Sequence, residues 1–288
     1  MFDLIKFCDE KYVSDLLDGK LFMNTLGYFW NNGFEGQKDF TEGTDMLSQP
    51  QDVEFIYKEF QDAIIGNVGW RREVNKYINL YCLYKLNRYD DQIEQIDKRI
   101  NNFGKVAIHI TNVDAFIIRI MKGMKQYQNS LFCCGDVHYY APFICPPKSE
   151  MLDCFNKPDY LSYQKEWRLA ILANREMIAQ LAANSPSAQY VEPIILNIGN
   201  IRDISRVIAT EDLLNHADTY FRGSKIVEKV NRKVMLTPQI ADQWFAKGFA
   251  FPRSALDGAY WGNCDRVEFN RSITAIAPDL IKPYFVIG

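Results

Sequence analysis

Glu166 and Arg168 stand two residues apart in the stretch YLSYQKEWRLAILAN, residues 160–174. In an extended chain successive side chains point to opposite faces. The pair therefore shares one side with Ala170, and Trp167, Leu169 and Ile171 take the other. A carboxylate held beside a guanidinium can polarise a hydroxyl, steady a developing positive charge, or simply form an ion pair. The apolar continuation LAIL suits a central strand, where a dry face would impose a heavy desolvation cost on both ions. Three environments satisfy the residues: a cleft, a set of further charges, or an ordinary solvent-facing strand side.

A second concentration of chemistry lies in GYFWNNGFEGQKDFTEGTD, residues 27–45. Asp39, Glu42 and Asp45 recur every third residue, yet Gly36 and Gly43 argue against helical display. A hard cation takes such carboxylates, but the alternating Asp order of a calcium loop with its distal Glu is missing, so no metal is assigned. The segment reads as a loop that closes over a site or caps neighbouring helices, its glycines admitting dihedrals that other residues avoid. Cys133 and Cys134, with His138, Cys145 and Cys154 downstream, carry zinc-type ligands at spacings that match no zinc motif. Buried thiols are the simpler reading. His109 in an apolar strand and His216 on a helix read as structural. No Walker A loop, GxGxxG, GxSxG or HExxH occurs in the sequence.

These groups need elements to position them. MFDLIKFC reads as a strand, DEKYVSDLLDGK as a short helix capped by Asp9 and stopped by Gly19, and LFMN as a second strand. Residues 53–65 have helical spacing. VNKYINLYCLYKL reads as a strand with Ile78, Leu80, Cys82, Tyr84 and Leu86 on one face and Tyr77, Asn79 and Tyr81 on the other. Residues 90–104 are expected as an exposed helix ending at Gly104, followed by the strand KVAIHI. TNVDAFIIRIMKGMK is the clearest helix, with Thr111 and Asp114 as a capping box variant. Strands follow around 130–143, a proline-rich loop across 145–160, the Glu166 strand, and strands at EPIILNIG and SRVIAT. Helices are expected at 211–222 and 237–248. The expected fold is α+β: a mixed, largely antiparallel sheet with helices packed on it, residues 1–224 forming the main domain and 225–288 a helical or irregular extension packed against it.

The composition is that of a globular chain, 48% hydrophobic and 24% charged, and 288 residues suffice to bury a large core. A formal charge of −3 supplies no broad attraction to nucleic acid. Seven cysteines without regular spacing, and no secretory signal near the N-terminus, suggest reduced thiols in the cytoplasm. No apolar run approaches the roughly 20 residues that span a bilayer, so no membrane partner is expected.

The segment IKFCDEKYVSDLLDGKLFMNTLGYFW followed by DFTEG resembles the N-terminus of a group of uncharacterised bacterial and phage proteins. The similarity continues in FNKPDYLSYQKEWRLAI and in the I-G-N-I-x-D-I stretch at 198–204, spanning scattered blocks of residues 4–215. The opening strand–helix–strand is also distantly similar to the first unit of ADP-ribosyltransferase folds, possible carriers of a split sheet, in which a His or Arg on strand one grips NAD. This chain has Lys6 and Phe7 there, and lysine meets a phosphate as a point charge rather than a planar fork. The resemblance implies a nucleotide- or NAD-binding enzyme. Lys6, Asn24 and Tyr28 would hold phosphate or ribose, Asn79 would line the cleft, and Tyr81 would stack on a ring. Glu166 would act on a ribose hydroxyl, oriented by Arg168, with residues 27–45 as lid. The rival expectation is a non-catalytic, phage- or defence-associated module whose protein partner docks on Tyr28, Phe29, Trp30, Asp39 and Glu42, ringed by charge. A metal-dependent phosphoryl enzyme ranks behind both.

Overall fold

A computed structural model describes residues 2–32, 38–39, 41–48, 68–89, 92–127, 130–141, 153–173, 193–217, 220–221, 260–262, 269–273 and 281–285. In chain order its strands are β1 (Phe2–Cys8), β2 (Lys20–Thr25), β3 (Met46–Ser48), β4 (Val68–Arg72), β5 (Asn79–Tyr89), β6 (Gln92–Ile93), β7 (Val106–Ile110), β8 (Leu131–Asp136), β9 (His138–Tyr140), β10 (Asn156–Pro158), β11 (Glu166–Leu172), β12 (Ile194–Asn197), β13 (Ser205–Ala209), β14 (Tyr260–Gly262) and β15 (Ile281–Phe285). The α-helices are α1 (Val13–Leu17), α2 (Leu26–Asn31) and α3 (Val113–Gly123), and residues 210–217 are also helical.

Ten of these strands form one antiparallel sheet, so the fold is α+β. Its pivot is β5. One edge of β5 pairs with β11, which continues through β8 to β14. The other edge is shared: β1 pairs with residues 84–87, and β2 joins only at Leu80 and Asn79. The sheet therefore forks. One branch runs β1, β7, β13 and the other β2, β12. Residues 81–83 of β5 face the crotch of that fork, with no strand partner on that edge among the described residues.

Both faces of the sheet are covered. On one, α1 and α3 lay Leu16, Leu17, Phe116, Ile117 and Ile120 onto Leu4, Leu83, Trp167 and Leu169. On the other, α2 and the turn Glu73–Tyr77 pack Leu26, Trp30 and Val74 against Leu80, Ala170 and Leu172. Leu213 and Phe221 cover Ile5, Phe7 and Tyr84 farther along. This double cover is why β5 and β11 carry apolar residues on both faces. The alternation expected for β11 holds.

Several expectations need correction. Where a helix was expected across 90–104, the described residues 92–104 hold β6 and a 3₁₀ turn, Lys98–Phe103, where the Asp97 side chain accepts from the Arg99 N–H at 2.8 Å. Ile96 and Ile100 mimic a helical spacing, but the local aspartate turn competes successfully with a helix. Asn112, rather than Thr111 with Asp114, caps α3 through the Ala115 N–H at 3.0 Å. Residues 26–31 are helical, with Thr25 as the cap, rather than the start of a loop. Within 145–160 lies β10, paired in parallel with β9. The segment 225–288 contributes β14 to the main sheet, β15 to a second sheet with β4 and β3, and a helical turn at 269–273. The helices expected at 53–65 and 237–248 lie outside the described residues. No helix among the described residues is long and apolar enough to cross a membrane.

Candidate functional site

Arg168 is fully buried on β11, and a buried guanidinium must find acceptors for its fork of donors. It finds three. Its Nη1 and Nη2 grip Glu42 at 2.9 and 2.6 Å, its Nε donates to Glu166 Oε2 at 2.7 Å, and Nη1 also reaches the Cys154 carbonyl. Lys157, from β10, completes the ring. Its Nζ lies 2.8 Å from Glu166 Oε1, 3.2 Å from Glu42 Oε1 and 2.7 Å from Gln164 Oε1. Two acids and two bases thus close on one another with no net charge. Burial alone would make such a cluster costly, and only this density of charge-assisted bonds makes it tolerable.

The network is not equally sunk throughout. Side-chain exposure is 1% for Arg168 and 3% for Lys157 and Glu42, but 10% for Glu166. Glu166 is the least enclosed of the four, though still largely buried. Burial favours its neutral acid, but Arg168 and Lys157 together outweigh that and hold the carboxyl far below the ordinary glutamate range. Burial likewise presses on Lys157 and Arg168, and the two glutamates overcome it, keeping both firmly charged. The backbone before Glu166 is itself unusual. Lys165 has φ 40°, in the left-handed region, and its carbonyl accepts from the Lys85 N–H at 2.7 Å. Such a conformation costs a side-chain-bearing residue energy and persists where the surroundings impose it. The Glu166 N–H donates to the Tyr139 hydroxyl at 2.9 Å, fixing the strand entry further.

The acidic segment is part of this frame. Asp39, Glu42 and Asp45 are buried, as is Trp30, whose indole N–H donates to the Glu42 carbonyl at 2.9 Å. Asp45 pairs with Arg72 at 2.5 Å and accepts from the Arg72 N–H at 2.7 Å. Asp39 accepts from the Thr41 N–H at 2.9 Å, and burial, with Glu42 nearby, raises its pKa. The described part of the segment is consequently a clamped wall, not a lid. Of the residues named as a docking surface, Trp30, Asp39 and Glu42 are enclosed, Phe29 is half-buried and packed on the core, and Tyr28 is exposed. Among the described residues no group of three His, Cys, Asp or Glu side chains is placed to hold a metal.

The residues expected to bind a nucleotide are brought only partly together. Lys6 sits in the crotch of the fork, where its Nζ donates to the Cys82 carbonyl at 2.9 Å and lies 4.6 Å from the centre of the Tyr81 ring. Tyr81 points to the α3 face, opposite to Glu166, and is buried there beneath Lys6. It is not open to a stacking base. Asn79 is also buried, donating to the Met23 carbonyl at 3.2 Å. Asn24 is half-buried on β2, paired with Leu80 at the mouth of the fork, and Tyr28 stands on α2. Lys6 therefore shares the face of Tyr81 and not that of Glu166, so the two are not set in one hollow as expected.

Sequence reasoning missed Lys157 and the Glu42–Arg168 grip. Lys157 precedes a proline in a stretch without periodicity, and the extended conformation this favours was the sole available signal. Neither family models, characterised proteins nor solved structures match the chain.

Proposed function

We propose that this chain is a nucleotide-binding protein of ADP-ribosyltransferase-like chemistry, in which Glu166 meets a ribose hydroxyl at the forked sheet. The observation that carries the reading is the asymmetry of the ion network. Glu166 is its least enclosed member, while Arg168, Lys157 and Glu42 hold it as positioning residues. A carboxylate has about four acceptor directions, so one bond to each oxygen leaves each able to accept another. Its depressed pKa makes it a poor proton acceptor at neutral pH, which disfavours general-base chemistry. A permanently ionised, preorganised carboxylate is instead suited to accept a hydroxyl hydrogen bond and to stabilise the positive charge that develops at a sugar carbon as a glycosidic bond breaks. Lys6 lies with the Tyr81 ring on the face of the sheet opposite Glu166 and is not part of this version of the site, whereas Asn24 borders the fork. Tyr81 and Asn79 have no place in this version of the site.

The clamped wall favours the second reading, a non-catalytic module. Under it the network exists to fasten residues 39–45 to the sheet, and the exposed Tyr28 belongs to a contact surface for a protein partner. Incubation with NAD separates the two. The enzyme reading expects slow release of nicotinamide by the wild type and loss of that release in Glu166→Gln with the fold retained. The module reading expects no release from either, and loss of partner capture in Tyr28→Ala.

A further inference from the structure

Away from the ion network, one corner of the large sheet gathers a carboxylate, an imidazole, a phenol and a guanidinium on a single face. His109 on β7 is fully enclosed, yet both of its ring nitrogens meet polar side chains. Its Nε2 lies 3.1 Å from Asp3 Oδ1 on β1, and its Nδ1 lies 3.1 Å from the Tyr220 hydroxyl. Asp3 is as deeply sunk as the imidazole, whereas Tyr220 is half-buried. Register puts these groups on one side: Asp3 stands opposite Leu86, and His109 opposite Ile5 and Arg206, so all share the face covered by Leu213 and Phe221. The Phe221 ring meets the imidazole edge-on at 5.1 Å and fixes its plane. Arg206, on the edge strand β13, is exposed and carries no ion pair among the described residues. The ionised carboxylate can only accept, so Nε2 bears the proton and Nδ1 accepts from the Tyr220 O–H.

We infer that Asp3, His109 and Tyr220 form a relay that makes the Tyr220 phenol a nucleophile toward anionic esters of tetrahedral phosphorus or sulfur. A hydroxyl within hydrogen-bond reach of a base, with that base oriented by a third group, is the arrangement that activates a nucleophile. A core histidine needed only for packing would not require a buried carboxylate on one nitrogen and a phenol on the other. Arg206 supplies the recognition: its planar fork suits the paired oxygens of a phosphate or carboxylate, and it stands directly across the strand pair from His109. The step balances without a cofactor. The Tyr220 Oη lone pair forms a bond to phosphorus or sulfur, the phenolic proton passes to His109 Nδ1, and the leaving group departs with the electrons of its broken bond. Asp3 is a positioning residue that holds the tautomer and steadies the imidazolium. No nucleotide and no part of the Glu166 network enters this inference, so it stands or falls apart from the nucleotide reading.

Covalent labelling of the full chain tests it. Wild-type protein is treated with limiting para-fluorosulfonylbenzoate, an anionic probe from which fluoride leaves as the Oη–S bond forms, and the adducts are located by peptide mass spectrometry. Tyr12 is the internal comparator, because it is more exposed than Tyr220. General-base assistance contributes about 10²–10⁴-fold, so Tyr220 is expected to be labelled at least about ten-fold faster than Tyr12. Tyr220→Phe should remove the dominant adduct. Arg206 lies at the surface, so Arg206→Gln keeps the fold and should slow Tyr220 labelling by the anionic probe several-fold while leaving uncharged phenylmethanesulfonyl fluoride unaffected. Asp3→Asn should displace the pH–rate profile of Tyr220 and leave that of Tyr12 in place, a change that a merely structural aspartate would not cause. Labelling of Tyr220 no faster than that of Tyr12 overturns the relay, and equal response of the two probes to Arg206→Gln overturns the anion site.

Discussion

At the scale of single residues, the account turns on how Glu166 is held. Replacing it with Gln leaves two buried cations short of one negative charge, and breaking a buried pair in this way costs about 3 kcal/mol. Chemical denaturation of Glu166→Gln at pH 7 should show that loss with the cooperative transition intact. The pH dependence has a definite sign. The folded carboxyl titrates below its ordinary value of 4.5, so its stabilisation is present above that pH and is lost as pH falls beneath it. Stability measured from pH 5 to pH 2.5 should therefore decline less steeply in Glu166→Gln than in the wild type. Lys165 supplies a second residue-level expectation. Its left-handed φ is relieved by glycine, and its bridge to Glu94 is partly exposed and contributes little. Lys165→Gly should raise the unfolding free energy by about 1 kcal/mol, whereas the β-branched Lys165→Val should lower it. The Glu166–Arg168 pair was legible in the sequence because strand alternation places i and i+2 together. Its partners were not, because Glu42 lies 126 residues from Arg168 and no local pattern encodes that contact.

At the scale of elements, the strand–helix–strand opening was readable from its stop at Gly19, whereas Asp9, expected as its cap, makes no side-chain capping bond and precedes a 3₁₀ turn, with the α-helix starting only at Val13. Gly19 has φ 81°, and a Cβ there would lie 1.9 Å from the Gly199 carbonyl oxygen. Both backbone conformation and space demand glycine, so Gly19→Ala should cost about 2 kcal/mol or more in thermal or chemical unfolding. The β12 strand illustrates a feature that periodicity does not reveal. Its outer carbonyls accept from side chains that follow α3: Gln126 Nε2 to Asn197 at 2.7 Å and the Tyr127 hydroxyl to Ile195 at 3.1 Å. These bonds occupy an edge that would otherwise offer a template for another strand. The double variant Gln126→Ala/Tyr127→Phe should show concentration-dependent self-association in sedimentation velocity where the wild type does not. Where helix was expected at 90–104, two isoleucines at apparent helical spacing misled, because a side-chain turn at Asp97 satisfies the backbone locally.

At the scale of the whole molecule, the α+β class followed from strands with two apolar faces interleaved with amphipathic helices. The fork did not follow, because which strand pairs with each half of β5 depends on long-range register. The strands at the fork point Lys6 and Glu166 to different faces of the sheet, a separation that no local pattern reveals. The C-terminal segment also acquires a role only at this scale, since β14 pairs with β8 and β15 with β4. The most direct measurement of the central claim, that Glu166, the least enclosed and permanently charged member of the network, binds a nucleotide ribose, is calorimetric titration of ADP-ribose into the wild type and Glu166→Gln at a temperature where both are folded. The account expects saturable one-to-one binding to the wild type and at least roughly ten-fold weaker binding to the variant, the size of one charge-assisted hydrogen bond. Equal affinity for the two proteins, or no binding to the wild type, would contradict it.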